Sequence, residues 1–405
     1  MLSLAEARAA LLDGVGRVGL ETVAIAHCAG RILAADVLAA RDQPHAALSA
    51  MDGYAMRRAD LVPGAELLVI GEAPAGARFD ASVGPGQSVR IATGGCVPDG
   101  ADLVCIQEHV VRNGDMIRIV DANAASNYIR GAAADFAEGQ CVALAGERIT
   151  PGRHALIAAT NAGSVCVARR PRVAIFPSGD ELREPGSVLG NAQTVNSGSF
   201  AIADLVEACG GEAAVHPILP DALDTCLAKL KASDLAADLM VTLGGASVGD
   251  RDVLRPSFEA LGARMVFDRI AVIPGKPTWH ARFPDGRLLL GLPGNPASAF
   301  VCAHLLLRPL ISALTGQTAR EECVPATCAR PLAANGPREA FLRASVAIDR
   351  RGCLRVAADA RQDSSLLTPL AAANALLRRA PNAPASEAGA IVEILLIGDI
   401  HAEAG

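Results

Sequence analysis

The spacing of apolar residues separates one long region of alternating strands and helices from shorter regions that are rich in strands. From residue 172 onward, short runs of apolar and β-branched residues alternate with segments whose apolar residues recur at helical spacing. The predicted strands are 173–176, 213–219, 239–243, 264–267 and 287–291, and the predicted helices are 196–209, 221–232, 252–261 and one that begins at Pro296. This alternation is typical of a doubly wound α/β domain.

The regions on either side of this α/β region are predicted to be mainly β. An N-terminal helix is predicted over residues 3–13, where Ser3 and Glu6 have the spacing of a capping box. The pair Asn113-Gly114 lies between two strands and predicts a type I′ hairpin turn. The other predicted elements are strands at 66–71, 87–92, 102–110, 115–120, 326–330, 341–348, 353–358 and 390–397 and a helix near 151–162.

Composition narrows the class of protein. The net charge is −6 and no basic run stands out, so nothing favours a nucleic-acid surface. No run of 18 or more apolar residues predicts a membrane span, and no signal region precedes the first helix. The 11 cysteines lack paired spacing, which is expected of reduced thiols in the cytoplasm. The chain has few lysines, and Lys276 lies between prolines in Pro274-Gly275-Lys276-Pro277.

Polar and glycine-rich loops follow several strands of the predicted α/β domain. If the connections are right-handed, these loops share one edge of the sheet, where ligands bind in such folds. The candidate ligand-binding residues in them are Ser178, Gly179, Glu181, Asp221, Gly244, Gly245, Ser247, Gly249, Asp252, Lys276, Pro277, Gly294 and Asn295.

Backbone N–H groups and a lysine suit an anion such as phosphate. The acids Glu181, Asp221 and Asp252 would repel that anion unless a divalent cation lay between them. The loops therefore predict a phosphorylated ligand together with a metal ion. Structural alternatives stay open: Asp221 and Asp252 could cap helices, Glu181 could be solvated, and Pro293-Gly294-Asn295-Pro296 could be only a rigid turn.

Six motifs in this order resemble the molybdopterin molybdenumtransferases, the family of MoeA and the gephyrin E domain. They are SAMDGYA, RIATGG followed by PDGAD, PSGDEL, GGASVGDRD, PGKP and GLPGNP, and they extend over most of the chain. The resemblance implies a cytoplasmic, intertwined homodimer that takes adenylylated molybdopterin and molybdate, releases AMP with help from Mg²⁺, and inserts molybdenum. A pterin-adenylylating enzyme and molybdoenzymes are its expected protein partners.

The resemblance also implies four domains. The expected divisions are a discontinuous, elongated domain of residues 1–44 and 133–170, an inserted β domain of 45–132, a pterin-binding α/β domain of 171–318, and a C-terminal β barrel of 319–405.

The functional residues implied by the resemblance come from several of these domains. Asp52 and Thr93 are expected to complete a site on the α/β domain of the partner subunit. Ser298 and Arg343 are expected as further oxyanion contacts. The residues expected to carry the reaction are Asp52, Thr93, Asp135, Glu181, Asp221, Asp252, Lys276 and Ser364.

The chain departs from the family pattern at several of these motifs. Ile273 stands where the family usually has lysine, although Arg269 keeps a second basic charge nearby. The other departures are Ala134, Thr194 and Asp363. Two alternatives stay open: a weakly active or non-catalytic paralogue that binds the pterin or nucleotide as a scaffold, and a related pterin nucleotidyltransferase that would share only the α/β domain.

Overall fold

The computed structural model describes residues 1–122, 126–233, 235–244, 253–317 and 323–402. The chain forms two compact units. One unit consists of Thr22–Ala29 and Ala35–Cys166, and the other consists of Met1–Glu21, Gly30–Ala34 and Val167–Gly405. The finer division into four domains stays a prediction.

The larger unit contains a six-stranded sheet that confirms the predicted doubly wound α/β fold. Four adjacent strands run parallel to one another, Trp279–Arg282 lies beside them and runs antiparallel, and the edge strand Arg264–Phe267 pairs antiparallel with Trp279–Arg282. In spatial order the strands are Glu212–Val215, Arg172–Pro177, Leu239–Leu243, Leu288–Leu292, Trp279–Arg282 and Arg264–Phe267. The strand Trp279–Arg282 was not predicted from the sequence.

Helices cover both faces of this sheet. In the strand Arg172–Pro177, Val173 and Ile175 belong to one apolar core, whereas Ala174 and Phe176 belong to a second core. Strands buried on both faces are expected to be continuously apolar, which explains why this run does not alternate with polar residues. The first core is completed by helices Leu4–Leu12, Gly198–Ala208, Pro296–Cys302 and Arg308–Thr315, and the second by helices Leu223–Ala232 and Leu254–Ala260.

The N-terminal helix begins as predicted. The side chain of Ser3 accepts a hydrogen bond from the backbone of Glu6, and the carboxylate of Glu6 accepts one from the backbone of Ser3. This reciprocal capping box satisfies N–H groups that the first helical turn leaves without partners.

A π-helical turn, Ala303–Leu307, joins the last two helices of the α/β domain. Together they form a continuous helical stretch, Pro296–Thr315, whose length and mean hydropathy of 1.6 match a membrane span. An 18-residue window of that stretch is 72% buried inside the protein, as expected for a core helix.

The C-terminal part forms the predicted β barrel, which is closed and has five strands. Its strands are Cys323–Cys328, Glu339–Ile348, Leu354–Ala358, Ala375–Arg379 and Ile391–Leu396, of which Ala375–Arg379 was not predicted. His401–Ala402 pairs with the same sheet. Val272–Ile273 also pairs in parallel with Glu339–Ala340 and so joins the barrel to the loop that carries Lys276.

The smaller unit is built on a second six-stranded sheet. Its strands in spatial order are Leu103–Ile106, Gly53–Met56, Gln87–Ile91, Glu66–Ala73, Met116–Ile119 and Val110–Asn113. Its further elements are the short strands Val37–Leu38, Leu48–Ser49, Ile129–Arg130 and Cys141–Ala143, the helix Pro151–Ala159, and 3₁₀ turns at Ile25–His27, Arg58–Asp60 and Gln107–His109. The larger unit adds the short strands Leu182–Arg183 and Thr194–Val195 and the helix Thr368–Ala371, and the strands Leu20–Ala24 and Ser164–Ala168 lie where the chain passes between the units.

The predicted hairpin in this sheet is present, but its turn type was wrong. Asn113 pairs with Met116, so the two central residues of the turn are Gly114 and Asp115. Gly114 has φ +61 while Asp115 is not among the residues with positive φ, which is the pattern of a type II′ turn. The glycine serves the first central position because the register is shifted by one residue from the expected one.

Candidate functional site

Loops at the carboxyl ends of the parallel strands surround a cavity of about 1020 Å³, called here the edge cavity. All the parallel strands of the sheet end at this side, so the predicted loops meet at one edge, as expected. The candidate site residues that line the edge cavity are Ser178, Gly179, Glu181, Asp221, Gly244, Lys276, Pro277, Gly294, Asn295, Ser298 and Ser364.

Asp221 is held against the neighbouring loop by a reciprocal pair of hydrogen bonds. The backbone N–H of Asp180 donates to Oδ2 of Asp221 at 3.1 Å, and the backbone N–H of Asp221 donates to Oδ1 of Asp180 at 3.2 Å. The following helix begins at Leu223, and its N-cap residue, Ala222, has no side-chain cap bond. The alternative that Asp221 is only the N-cap of this helix is therefore wrong. Asp221 instead fixes the Ser178–Glu181 loop beside it.

The loops after three strands are packed backbone against backbone. Gly244 has φ +99, and a Cβ atom there would lie 2.5 Å from the carbonyl oxygen of Ser178. A Cβ atom at Gly294 would lie 3.3 Å from the Cα atom of Gly244. A side chain is thus excluded at Gly244 and would be crowded at Gly294, so the loops approach each other closely and bring their polar groups to a common cavity.

The predicted ligand-binding stretch that begins at Gly244 extends outside the described part of the chain. Four of the predicted site residues, Gly245, Ser247, Gly249 and Asp252, lie outside the described residues. Their expected contribution, and the helix-cap alternative for Asp252, stay predictions.

Buried side chains hold the Pro274–Pro277 loop in place. Gly275 has φ +130, and a Cβ atom at this position would overlap the sulfur of Cys302. The hydroxyl of Thr278 donates to the carbonyl oxygen of Gly275 at 2.8 Å. The backbone of Ile270 donates to the carbonyl oxygen of Lys276 at 3.1 Å, so the main chain around Lys276 is held on both sides.

The Pro293–Pro296 turn contacts the segment that carries Ser364. Nδ2 of Asn295 donates to Oγ of Ser364 at 2.8 Å, and the backbone N–H of Ala297 donates to the carbonyl oxygen of Ser364 at 3.2 Å. Asn295 precedes the helix but makes no side-chain cap bond. The turn is therefore more than a rigid connection, because its asparagine orients another candidate residue.

The carboxylate of Asp363, a departure from the family pattern, is hydrogen-bonded within its own turn. Its Oδ1 accepts bonds from the backbone of Ser365 at 2.8 Å and from the Ser365 hydroxyl at 2.7 Å. These bonds hold the pKa of the Asp363 carboxyl below its usual value. Asp363 is not among the described residues that line the edge cavity, whereas its neighbours Ser364 and Ser365 are.

Arg343 was expected to contact an oxyanion in the edge cavity, but it lies outside the described lining of that cavity. It is 2% exposed. Its guanidinium donates to the carbonyl oxygens of Arg361, Asp363 and Leu366 at 3.0, 2.8 and 2.9 Å. These bonds make Arg343 a support for the segment that presents Ser364.

Asp52, Thr93 and Asp135 lie in the smaller unit. Oδ1 of Asp52 accepts from the backbone of Thr93 at 2.6 Å and from its hydroxyl at 2.8 Å, and these bonds lower the pKa of the Asp52 carboxyl. The backbone N–H of Asp135 donates to the carbonyl oxygen of Gln43 at 2.9 Å. Asp135 is exposed, and its carboxylate takes no part in this bond. Asp52 is thus preorganised as a carboxylate, with Thr93 beside it.

The sequence interpretation missed three residues that the structure brings to this site: Asp180, Asn196 and Arg338. Asn196 and Arg338 line the edge cavity, and Asp180 holds Asp221. Nδ2 of Asn196 and Oγ of Ser178 are buried and have no hydrogen-bond partner among the described residues. Because such groups are rarely left unpaired, a ligand with hydrogen-bond acceptors would suit this part of the edge cavity.

Three family models match consecutive parts of the chain. The model of the MoeA N-terminal region (domains I and II) matches residues 2–161. A model described as a probable molybdopterin-binding domain matches residues 174–313, and the model of the MoeA C-terminal region (domain IV) matches residues 325–397.

Curated relatives named molybdopterin molybdenumtransferase match much of the chain. The Staphylococcus aureus protein is 30% identical over 388 residues, which cover 94% of this chain and 92% of the relative. The Nostoc sp. protein is 36% identical over 297 residues, covering 71% of this chain and 67% of the relative. The Haemophilus influenzae protein is 34% identical over 319 residues and covers 78% of both chains.

Solved structures are similar over nearly the full length. The molybdopterin biosynthesis MoeA protein of Pyrococcus horikoshii has a TM-score of 0.81 at 26% identity, covering 98% of this chain and 100% of that chain. A molybdenum cofactor biosynthesis protein of Pyrococcus furiosus has a TM-score of 0.60 at 17% identity with the same coverage, and it supports the fold alone.

Proposed function

Since this chain belongs to the MoeA family of molybdopterin molybdenumtransferases, we propose that its edge cavity binds adenylylated molybdopterin and that the protein transfers molybdenum from molybdate to it, with release of AMP. The family makes the protein a transferase of molybdenum cofactor biosynthesis. The observation that carries the proposal is the convergence of Glu181, Asp221, Lys276 and Ser364 on one cavity beside glycine-rich loops.

The acidic side of the edge cavity suits Mg²⁺. Among the described residues no group of three or more His, Cys, Asp or Glu could hold a metal by itself. Mg²⁺ is commonly bound by one or two carboxylates together with substrate phosphates and water, so Glu181 and Asp221 fit it, with Asp252 as the proposed third acid. When bound, Mg²⁺ neutralises charge on phosphate oxygens. Asp180 would then orient Asp221 toward the ion.

The basic side of the edge cavity suits an oxyanion. Lys276 is exposed, and no described carboxylate forms an ion pair with it. Molybdate is a dianion, which a lysine and nearby hydroxyl groups such as those of Ser298 and Ser364 would bind. Because the acids and the lysine belong to different loops, adenylate and molybdate could occupy the edge cavity together.

Neither alternative function is favoured by an observation. A non-catalytic scaffold was suggested by Ile273 and Asp363, but the Asp363 carboxylate is occupied within its own turn. A nucleotidyltransferase that shares only the α/β domain does not account for matches at residues 2–161 and 325–397. A cytoplasmic location, and contact with a pterin-adenylylating enzyme and with molybdoenzymes, remain part of the proposal.

The direct test of this function is release of AMP. Purified protein with adenylylated molybdopterin should release AMP when both Mg²⁺ and molybdate are present, and chelation of Mg²⁺ should stop the release. AMP release that is equally fast without Mg²⁺ and molybdate would contradict the proposed reaction.

Asp221→Asn separates the charge of this residue from its structural contact. Asparagine keeps a side-chain oxygen that can accept the N–H of Asp180, so the loops should keep their geometry. We expect Mg²⁺-dependent AMP release to fall by about a hundredfold or more, since several kcal/mol of charge stabilisation is lost. Asp224→Asn, an exposed position on the next helix and outside the described lining of the edge cavity, is the matched control. Near-wild-type AMP release by Asp221→Asn would show that this acid does not serve the metal.

We further propose that the protein is a homodimer in which Asp52 and Thr93 of one subunit complete the site built on Glu181 of the other. In a symmetric dimer this arrangement gives two equivalent shared sites. Neither Asp52→Ala nor Glu181→Ala homodimers should be active. Unfolding and refolding an equal mixture makes about half the dimers mixed, each with one intact site, so activity should return to roughly a quarter of wild type.

Within-chain sites would give the opposite result. Every site would then lack Asp52 or Glu181, and the mixture would stay inactive. That outcome, with mixed dimers demonstrated by mass spectrometry, would contradict the shared-site proposal.

A further inference from the structure

Arg338 is a further cation of the edge cavity, besides Lys276 and Arg269. It is half-buried and lines the same cavity. Within the described ranges its guanidinium makes no ion pair, and its hydrogen bond runs from Nη1 to the carbonyl oxygen of Val272 at 3.4 Å. Arg269 also lines the cavity, but its Nε lies 3.0 Å from Oδ2 of Asp268. Among the described residues, Arg338 therefore differs from Arg269 in having no carboxylate that pairs with it.

The adjacent acid, Glu339, is occupied by another arginine. Oε1 of Glu339 lies 2.6 Å from Nε of Arg378, and Glu339 is only 7% exposed. The charge of Glu339 is thus compensated inside the barrel. The positive charge of Arg338 stays available to a ligand in the edge cavity.

Arg338 lies near Ile273, because its Nη1 donates to the carbonyl oxygen of Val272, the residue before Ile273. The strand Val272–Ile273 pairs with Glu339–Ala340, and Arg338 immediately precedes the paired residues. Ile273 is 39% exposed and lines the edge cavity. An apolar side chain at this place contributes no charge, whereas Arg338 brings a planar guanidinium to the same part of the lining.

We propose that Arg338 is an anion-binding residue of the edge cavity, acting with Lys276 on a tetrahedral oxyanion and supplying the positive charge that Ile273 does not. Arginine binds such anions through paired N–H donors and stays charged at all relevant pH values. The identity of the anion rests on the proposed function: it is either molybdate or the phosphate of the pterin nucleotide. Both have the same oxyanion chemistry, so direct binding must distinguish them.

The experiment measures binding of molybdate, and separately of AMP, by titration calorimetry at low ionic strength. Arg338→Gln keeps hydrogen-bond donors for the carbonyl of Val272 but removes the charge, whereas Arg338→Lys keeps the charge. We expect Arg338→Gln to weaken binding of at least one of these anions roughly tenfold, as is typical when a charge-assisted hydrogen bond is lost. Arg338→Lys should lose much less. Arg330→Gln, an exposed arginine of the same barrel outside the described lining of the edge cavity, is the control.

The two arms identify the anion. Weaker binding of molybdate alone assigns Arg338 to the inorganic oxyanion, and weaker binding of AMP alone assigns it to the nucleotide phosphate. Perrhenate, a singly charged tetrahedral oxyanion, should be less affected than molybdate if charge is the cause.

Three results would overturn the proposal: no binding of either anion to the wild-type protein, equal affinities of Arg338→Gln and wild type for both anions, or an equal loss in Arg330→Gln. These measurements need no turnover. A protein that binds the anion through Arg338 but releases no AMP would refute the proposed function and leave this inference standing.

Discussion

The contact between Gly275 and Cys302 predicts a pair of substitutions whose effects on stability are not additive. Gly275 precedes Lys276 and has φ +130, a region that side chains rarely adopt. Its Cα faces the sulfur of Cys302 with no room for a methyl group. Burial raises the pKa of the Cys302 thiol to about 12, so the sulfur packs here as a neutral group.

Two costs should add in Gly275→Ala. Backbone strain at a left-handed position costs about 1–3 kcal/mol, and forcing a methyl group against buried sulfur costs about another 1–3 kcal/mol. Cys302→Ala opens space beneath the loop, so the double variant should recover the second cost but not the first. The double-mutant cycle should therefore give a favourable coupling of about 1–3 kcal/mol.

Unfolding in urea, followed by the fluorescence of Trp279, measures these free energies. Trp279 is the single tryptophan and is buried in the α/β core, so its signal reports this unit. Gly262→Ala is the matched control, because Gly262 has φ +98 but a methyl group on its Cα would meet nothing within 4 Å. It should cost only the strain and should not couple to Cys302→Ala. Additive effects of Gly275→Ala and Cys302→Ala would refute the packing argument.

Two further predictions concern charge. Ile273→Lys should lower the molybdate concentration required for half-maximal AMP release by roughly tenfold, since a charge-assisted contact contributes about 1.5–3 kcal/mol; an unchanged or higher requirement would place this position outside the anion site. Burial lowers the pKa of His280 and of His304 to about 4, so between about pH 6.5 and pH 4 the unfolded chain binds protons that the folded chain does not. The free energy of unfolding should therefore fall by about 1–1.5 kcal/mol per histidine from pH 7.5 to pH 5.5. In urea titrations, His304→Leu should show a smaller fall than wild type. An equal fall would contradict the lowered pKa of His304.

The parts of the fold that the sequence predicted are those specified by local pattern. The strand Leu239–Leu243 is apolar throughout because both faces of the sheet are covered, and its boundaries were predicted correctly. The missed strands Trp279–Arg282 and Ala375–Arg379 are short and end in arginine; the first lies inside the six-stranded sheet and the second belongs to the barrel. Ala375–Arg379 pairs with Ala340–Ala344, which is distant in sequence, whereas Trp279–Arg282 pairs with the next strand, Leu288–Leu292. Strand formation depends on such pairing, which the periodicity within one segment does not contain.

The sequence predicted which loops form the candidate site, but not the hydrogen bonds between their residues. Parallel strands direct their carboxyl ends to one edge, so the convergence of Glu181, Asp221 and Gly294 followed from topology. The pairing of Asp221 with Asp180 could not be read from the sequence, because the two residues belong to different loops. Arg343 was assigned to the anion site by family pattern, while its actual partners are carbonyl groups of a folded segment.

The central claim is that this chain delivers molybdenum to molybdopterin, and reconstitution of an apo-molybdoenzyme tests it most directly. The purified protein would be supplied with adenylylated molybdopterin, Mg²⁺ and molybdate, and the activity gained by the molybdoenzyme would be measured. We predict that molybdoenzyme activity appears with wild-type protein and is lost with Asp221→Asn. It should appear at a molybdate concentration that gives no activity when the protein is left out. Equal activity with and without the protein, or full activity with Asp221→Asn, would contradict the account.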